Sequence, residues 1–313
     1  TVHNKQSFLL TAHHNPDGDA IGSVLGLYAL LKHLGKDVVF YNNTPYPQRF
    51  QFLANAQQVQ TEISNEARFD ASIICDCGEL ARTPNGFLKD RDRLGTLIVI
   101  DHHPTSGLEG DINLNDPEQP ATASLIVRLA QRLNIPLKKD FAEALYVGIL
   151  TDTGCFRYQK TRPQTFRDAA TLLEAGVDPW TISSAIYESN PLAQQKLLAL
   201  VLNTLDLRHN AQLAFLHVDP HMFDQTGGDS SMTDGFVNFA RGIRGVEVAG
   251  FFRPIKQGWK VSLRSRGNVN LSEIAAHFGG GGHAQAAGAI MEMSLEQAKN
   301  QLTEALTQAL AKN

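Results

Sequence analysis

The stretch that most restricts what this chain can become is His13-His14-Asn15-Pro16-Asp17-Gly18-Asp19. An apolar run over residues 7–12 precedes it, of a length suited to a buried strand. Apolar residues at helical spacing follow over residues 19–34, and Gly35 supplies a stop. The spacing predicts strand, loop, helix, with His13, Asp17 and Asp19 on the loop at the strand's C-terminal end. Ligands of open α/β sheets bind at that edge. Charges converging there are costly unless something binds them, and a divalent metal is the simplest partner. The same residues also suit a solvated turn rich in Asp and Gly, with Asp19 as a helix N-cap. The stretch by itself leaves both readings open.

A chain of 313 residues exceeds what one core usually serves, so two domains are expected. With 42% hydrophobic and 19% charged residues it is composed as a soluble globular protein. No apolar run is long enough to cross a bilayer, and no basic-plus-apolar leader pattern follows Thr1. Three cysteines (Cys75, Cys77, Cys155) are too few for a disulfide framework and suit a reducing compartment. A cytoplasmic protein without a membrane partner is the expectation. Cys75-Asp76-Cys77 lacks the CxxC spacing of zinc sites, so its cysteines read as small core residues.

The net charge of -4 argues against long duplex nucleic acid as a partner, which wants a basic face. Residues 1–189 carry 17 Lys and Arg against 22 Asp and Glu, and residues 190–313 carry 11 against 10. An acidic first part suits metal ligands. The later part gathers Arg241, Arg244, Arg253, Arg264 and Arg266, as a local phosphate patch or as an ordinary mixed surface.

Strands and helices alternate early, the pattern of a parallel sheet with helices on both faces. Residues 37–41, 71–75 and 96–100 read as strands, 48–58 as a helix and 105–120 as a loop. Helices are then expected over 121–133, 141–151, 163–175 and 179–188. Asn190-Pro191 marks a break, and 192–205 reads as one connecting helix. The expected organisation is a doubly wound, mainly parallel α/β domain over 1–189, a helical linker over 190–210 and a smaller α/β mixed-sheet domain over 211–313. In the last, 213–218, 246–253, 259–264 and 287–293 read as strands, and 271–278 and 295–310 as helices. Gly279 to Gly282 reads as a loop bare of side chains.

More acidic and imidazole residues stand where the first group does, at element ends. Asp76 ends one expected strand, Asp101-His102-His103 the next, and Asp152 in Thr151-Asp152-Thr153-Gly154 an apolar helix. Singly, each suits a cap, a turn or a hydrogen-bonded histidine. Parallel strands, however, align their C-terminal loops along one edge, so these residues can meet. Recurrence favours the metal.

The series His13-x-x-Pro16-Asp17-x-Asp19, Asp76, Asp101-His102-His103 and Thr151-Asp152-Thr153-Gly154 resembles the DHH phosphoesterase superfamily. Ser262-Leu263-Arg264-Ser265, followed by Gly279 to His283 and Ala286-Ala287-Gly288, resembles its C-terminal DHHA1 substrate domain. The motifs span nearly the whole chain in the expected order. Within the superfamily the likeness is to small two-domain enzymes that act as oligoribonuclease and as phosphatase of the 3',5'-bisphosphonucleotide pAp. The resemblance implies His13 and Asp17 on one metal, Asp19, His102 and Asp152 on another, and Asp76 bridging. It implies that Asp101 orients from behind, and that His103 faces the substrate phosphate or leaving group. It also implies substrate contacts from Arg264, Ser265, Gly280, Gly281, Gly282 and His283, and a homodimer.

The chemistry makes independent sense. Two cations acidify a water and clamp a reacting phosphate, and a carboxylate is the side chain able to bridge them. A ligand set of carboxylates with two imidazoles and no thiolate suits Mn²⁺, with Mg²⁺ or Co²⁺ in its place and zinc less favoured. His103 could protonate the leaving oxygen. Arg82 could neutralise phosphate or pair with Glu79 on a helix face. A run without Cβ atoms lets backbone N–H groups approach a phosphate, the other reading being a linker.

The expected function is hydrolysis of short oligoribonucleotides to 5'-mononucleotides and of pAp to AMP. Its small-molecule partners would be such oligomers and mononucleotides such as pAp, AMP or GMP. The alternatives are a phosphodiesterase of linear or cyclic signalling dinucleotides and a RecJ-like exonuclease. An inorganic pyrophosphatase would lack the glycine-rich tail. A non-catalytic nucleotide-binding module would lack a metal ligand, and none is missing.

Overall fold

The computed structural model describes residues 4–84, 87–88, 91–103, 107, 109–267 and 269–311, with the His283 side chain left aside. The chain divides into two compact units, Thr1–Ser189 and Asn190–Asn313.

The first unit holds a five-stranded sheet of β1 (Ser7–Ala12), β2 (Asp37–Phe40), β3 (Ala71–Cys75), β4 (Thr96–Asp101) and β5 (Ile112–Asn115). All pairs are parallel, and the spatial order is β2-β1-β3-β4-β5. The chain leaves β1 to one side for β2 and crosses back for β3. The topological switch point therefore lies between the C-terminal ends of β1 and β3, where such sheets open a crevice.

Helices α1 (Gly18–His33), α2 (Thr122–Arg132), α3 (Lys139–Asp152) and α4 (Pro163–Glu174) share one core with the sheet face that carries Phe8, Leu10, Ile73 and Ile100; α1 and α2 pack on the strands, and α3 and α4 pack on those helices. The opposite face, with Leu9, Ile74, Leu97 and Val99, is closed by Phe87, Leu94 and neighbouring loop residues. Among the described residues, the α-helices of this core thus stand on one side of the sheet, where helices on both were expected. Residues 48–58 form two 3-10 turns, Gln48–Phe50 and Ala56–Gln58, because Asn55 between them is left-handed at φ 66°. Residues 105–120 contain β5, a four-residue edge strand exposed on both faces and so without a hydrophobic period. α5 (Pro179–Ser183) gives way to a π turn over Ser184–Glu188.

α1 and α3 approach unusually closely, because α1 presents Gly18, Gly22 and Gly26 at every fourth position. A Cβ on Gly22 would overlap the Ala144 carbonyl of α3. On the facing side, a Cβ on Gly148 would lie 2.7 Å from Ala123 Cβ and 2.8 Å from Asp19 Oδ1. This contact brings the C-terminal residue of α3, Asp152, to the start of α1.

The second unit is a six-stranded sheet in the order β10-β11-β9-β8-β7-β6. Its strands are β6 (Asp206–Arg208), β7 (Leu213–His217), β8 (Val248–Ile255), β9 (Gly258–Ser265), β10 (Gly281–His283) and β11 (Ala286–Met291). Only β7 and β8 run parallel. One face carries Phe215, Phe252 and Leu263 under α9 (Leu271–His277) and α10 (Leu295–Leu310). The other carries Leu216 and Phe251 with α6 (Leu192–Leu202), α7 (Pro220–Thr226) and α8 (Val237–Arg241). Residues 190–210 are therefore not a linker. Leu197 and Val201 of α6 lie in a core of this unit, and β6 pairs with β7.

Gly22→Ala should lower the urea midpoint of the chain, at a cost of about 1–3 kcal/mol for forcing a methyl into a filled helix contact. An equilibrium denaturation curve followed by circular dichroism checks it.

Candidate metal centre

The switch point gathers the side chains one by one. His13 directly follows β1 and is buried; its Nδ1 lies 2.9 Å from the His14 carbonyl, which turns Nε2 toward the crevice. Asp17 is the N-cap of α1, and its Oδ1 accepts from the N–H groups of Asp19 and Ala20 at 3.1 Å. Its Oδ2 stays clear of the cap, 3.8 Å from His13 Nε2. The cap uses one oxygen and leaves the other turned toward His13.

Asp76 ends β3 in the left-handed region at φ 54°, a conformation costly for a residue with a Cβ. Its Oδ2 lies 3.8 Å from His13 Nε2, and its Oδ1 lies 3.5 Å from His102 Nε2. The two oxygens thus face two different groups. The first is His13, Asp17 and Asp76 and the second is Asp19, His102 and Asp152, while a third combination, Asp76, His102 and His103, shares a residue with each. Within each group the candidate ligand atoms lie within 4.8 Å of one another.

In the second group, His102 Nδ1 lies 3.1 Å from the Gln119 carbonyl, so Nε2 points inward, 3.4 Å from Asp152 Oδ2 and 3.9 Å from Asp19 Oδ2. Asp19 is buried at 2% exposure. Thr122 N donates to its Oδ2 at 2.6 Å, and Ala123 N and Ser23 Oγ donate to its Oδ1 at 2.9 and 3.2 Å.

Asp101 sits behind, fully buried. Its Oδ1 accepts from the backbone N–H groups of His102 and His103 and lies 2.5 Å from His103 Nδ1. His103 is thereby held with Nε2 outward. His103 Nδ1 is 3.8 Å from Asp76 Oδ1, and the ring falls within a candidate ligand group with Asp76 and His102, a role the resemblance does not give it. His14 is tied instead to the Arg82 carbonyl, by its N at 2.7 Å and its Nδ1 at 3.0 Å.

The electrostatics follow from this crowding. Burial pushes the Asp19 and Asp152 carboxyls well above the usual range, and the Asp76 charge adds to both. Burial alone would lower the His13 imidazole, but the Asp17 and Asp76 carboxylates outweigh it and raise it. For His103 the same opposition is won by Asp101, with Asp76 adding to the rise. Arg82, half-buried at the end of a 3-10 turn, reaches the site by its charge and opposes protonation of both rings. A divalent cation relieves this repulsion, and the donors present, carboxylate oxygen and imidazole nitrogen, fit one. Cys75 and Cys77 flank Asp76 but offer no thiolate, since burial raises both and takes Cys77 up to about 12.

Besides Arg82 and His103, the residues expected on the substrate side lie in the second unit. Arg264 is half-buried on β9 and lines a polar cleft with Arg253, Lys260 and Ser262. Ser265 is a correction: it is 3% exposed and its hydroxyl donates to the Val269 carbonyl at 3.1 Å, so strand pleating turns it away from the face Arg264 occupies. The glycine run is also more structural than a bare loop. Gly279, at φ 71°, follows the C-cap of α9. A Cβ on Gly280 would strike the Gly288 carbonyl, and one on Gly282 would lie 2.6 Å from the Ala286 carbonyl. Gly281 pairs with Gly288. His283 pairs through its backbone with Ala286, and its side chain is outside the described residues. Arg266 donates to the carbonyls of Arg241, Gly242 and Ile243, an ordinary structural use of one member of the arginine cluster. Sequence reasoning missed Thr122, whose hydroxyl donates to Asp76 Oδ1 at 3.0 Å. A helix start with Ala121 where a capping side chain belongs was its one signal.

A pH dependence follows. Asp19, Asp152 and His13 all have folded values above their ordinary ones, so their contribution to stability is present below the ordinary values and lost as pH rises through the raised ones. The chelated protein should therefore lose stability at these groups as pH rises above the ordinary carboxyl range and then above the ordinary imidazole value, and added divalent cation should raise Tm more at an alkaline pH than at an acidic one. Melting curves with chelator or Mn²⁺ at the two pH values check this.

Comparison with known proteins identifies the family. Residues 7–149 match the model of the DHH family, N-terminal domain, and residues 210–312 match the DHHA1 domain. The chain is 34% identical to the bifunctional oligoribonuclease and PAP phosphatase NrnA of Thermus thermophilus, over 97% of this chain and 90% of that one. It is 27% identical to the protein of the same name in Bacillus subtilis, over 92% and 90%. A solved exopolyphosphatase-related protein from Bacteroides fragilis superposes with a TM-score of 0.90 at 26% identity, over 99% of this chain and 93% of that one. With its motifs gathered at one sheet edge and both domain models matched in order, the chain belongs to the DHH family of phosphoesterases.

Proposed function

We propose that this phosphoesterase hydrolyses short oligoribonucleotides to 5'-mononucleotides and pAp to AMP, with two Mn²⁺ ions, or Mg²⁺ or Co²⁺ in their place. The observation that carries the reading is the Asp76 carboxylate, one oxygen toward His13 and the other toward His102. His13 and Asp17 would hold one ion, Asp19, His102 and Asp152 the other, and Asp76 both. Bound there, the ions acidify a water and offset charge on the phosphoryl oxygens. His103, with Nδ1 held by Asp101, turns Nε2 outward and donates a proton to the leaving oxygen. Arg82 brings a positive charge to the phosphate side. In the second unit, Arg264 and backbone N–H groups of the run from Gly280 to Gly282 bind the phosphate of a nucleotide. The names of the relatives support this choice of substrates.

The exposed Ile112 and Leu114 on the outer edge of β5 support a homodimer. Sedimentation velocity checks it, with a monomer at micromolar concentration as the contrary outcome.

The enzyme reading is tested with Mn²⁺ on pAp and on RNA oligomers of rising length. Dinucleotides and pAp should be cleaved and long RNA should not. Asp76→Asn should abolish turnover, and His103→Asn should lower kcat by about 10²–10⁴-fold. Absence of hydrolysis of both short substrates, or a full rate after chelation, rejects the proposal.

A further inference from the structure

Helix α2 begins at Thr122 with no side-chain cap of its own, since Ala121 in the cap position has no side-chain oxygen to offer. Its first two N–H groups are satisfied from another helix. Thr122 N and Ala123 N donate to the two oxygens of Asp19, so Asp19 caps α2 from α1. The Thr122 hydroxyl points to a different carboxylate, donating to Asp76 Oδ1. One fully buried residue therefore grips Asp19 by its backbone and Asp76 by its side chain.

The terminal torsion of an aspartate is soft, so a carboxylate held by Cβ alone can rotate its plane. The hydroxyl bond removes that freedom. It keeps Oδ1 on the His102 side and Oδ2 on the His13 side. The segment that carries Thr122 also supplies the Gln119 carbonyl that orients His102. Three of the candidate ligands are thus set by residues 119–123, none of which belongs to either ligand group.

We infer that Thr122 is a positioning residue that couples the two cation positions: its hydroxyl holds the shared carboxylate while its N–H holds a carboxylate of the second group. The inference rests on the two-metal reading above. Loss of the hydroxyl should weaken binding at both positions, because Asp76 serves both. Partners that orient metal ligands in this way typically contribute 10–100-fold in affinity.

The test is calorimetric titration of Mn²⁺ into the chelator-stripped full chain, as wild type, Thr122→Val, Thr122→Ala and Thr122→Ser, with a melting curve of each. Wild type should take up two ions. Val and Ala should bind them about 10–100-fold more weakly, and Ser, which keeps the hydroxyl, should bind close to wild type. Saturating Mn²⁺ should restore most of the turnover of Ala. If Val does not fold, Ala decides, since it removes the hydroxyl without adding bulk. Unchanged affinity in Val or Ala, with two ions still bound by wild type, overturns the positioning role alone. A loss in Ser as large as in Ala also overturns it, because packing would then be the cause. A wild type that takes up no Mn²⁺ overturns the two-metal reading and the inference with it.

Discussion

Mutual repulsion among carboxylates at one sheet edge is the constraint on which the rest of the first unit depends. Asp17, Asp19, Asp76 and Asp152 come from a helix cap, a helix first turn, a strand end and a helix C-terminus. Bringing them together costs free energy in water and more in a buried crevice. The fold meets that cost with backbone N–H groups at the start of α2 and with imidazoles whose Nδ1 atoms are held at carbonyls so that Nε2 faces the carboxylates, and it adds backbone strain at the left-handed Asp76. Strain and charge concentrated in one place mark a site built to hold something.

Several of these side chains serve structure and chemistry together. Asp17 caps α1 with one oxygen and turns the other to His13. Asp19 caps α2 and stands opposite His102. A cap and a metal ligand are often weighed as rival readings of an Asp before a helix. Here the cap leaves Asp17 with an oxygen still turned to its imidazole neighbour, so the two readings do not exclude each other. The glycine stripe of α1 has the same double character: it is packing chemistry, yet its effect is to carry Asp152 to Asp19.

In the second unit the glycine run shows a structural demand where a ligand-binding loop was expected. Gly280 and Gly282 are needed because β10 lies too close to β11 for a Cβ. Backbone N–H groups there remain suited to phosphate, but the residue type is explained before any ligand is invoked. Ser265 makes the complementary point. Its neighbour Arg264 faces a cleft, so strand alternation sends Ser265 inward, where it bonds Val269.

The sequence by itself determined the α/β class, the parallel first sheet, the mixed second sheet and the acidic and imidazole positions that gather at one sheet edge. Apolar runs ending in Asp or His are local features, and the parallel arrangement they imply aligns the ends of the strands. It did not show β5 or the broken helix at 48–58, because a doubly exposed edge strand has no period and one left-handed Asn outweighs helical spacing. Nor did it show which face the helices take, or that 190–210 belongs to the second unit, since both are settled by what buries against what. Tertiary structure alone decided which oxygen of Asp76 faces which histidine, and that Thr122 stands between Asp19 and Asp76. Those facts depend on contacts 46 and 103 residues apart in the chain, which no local pattern encodes.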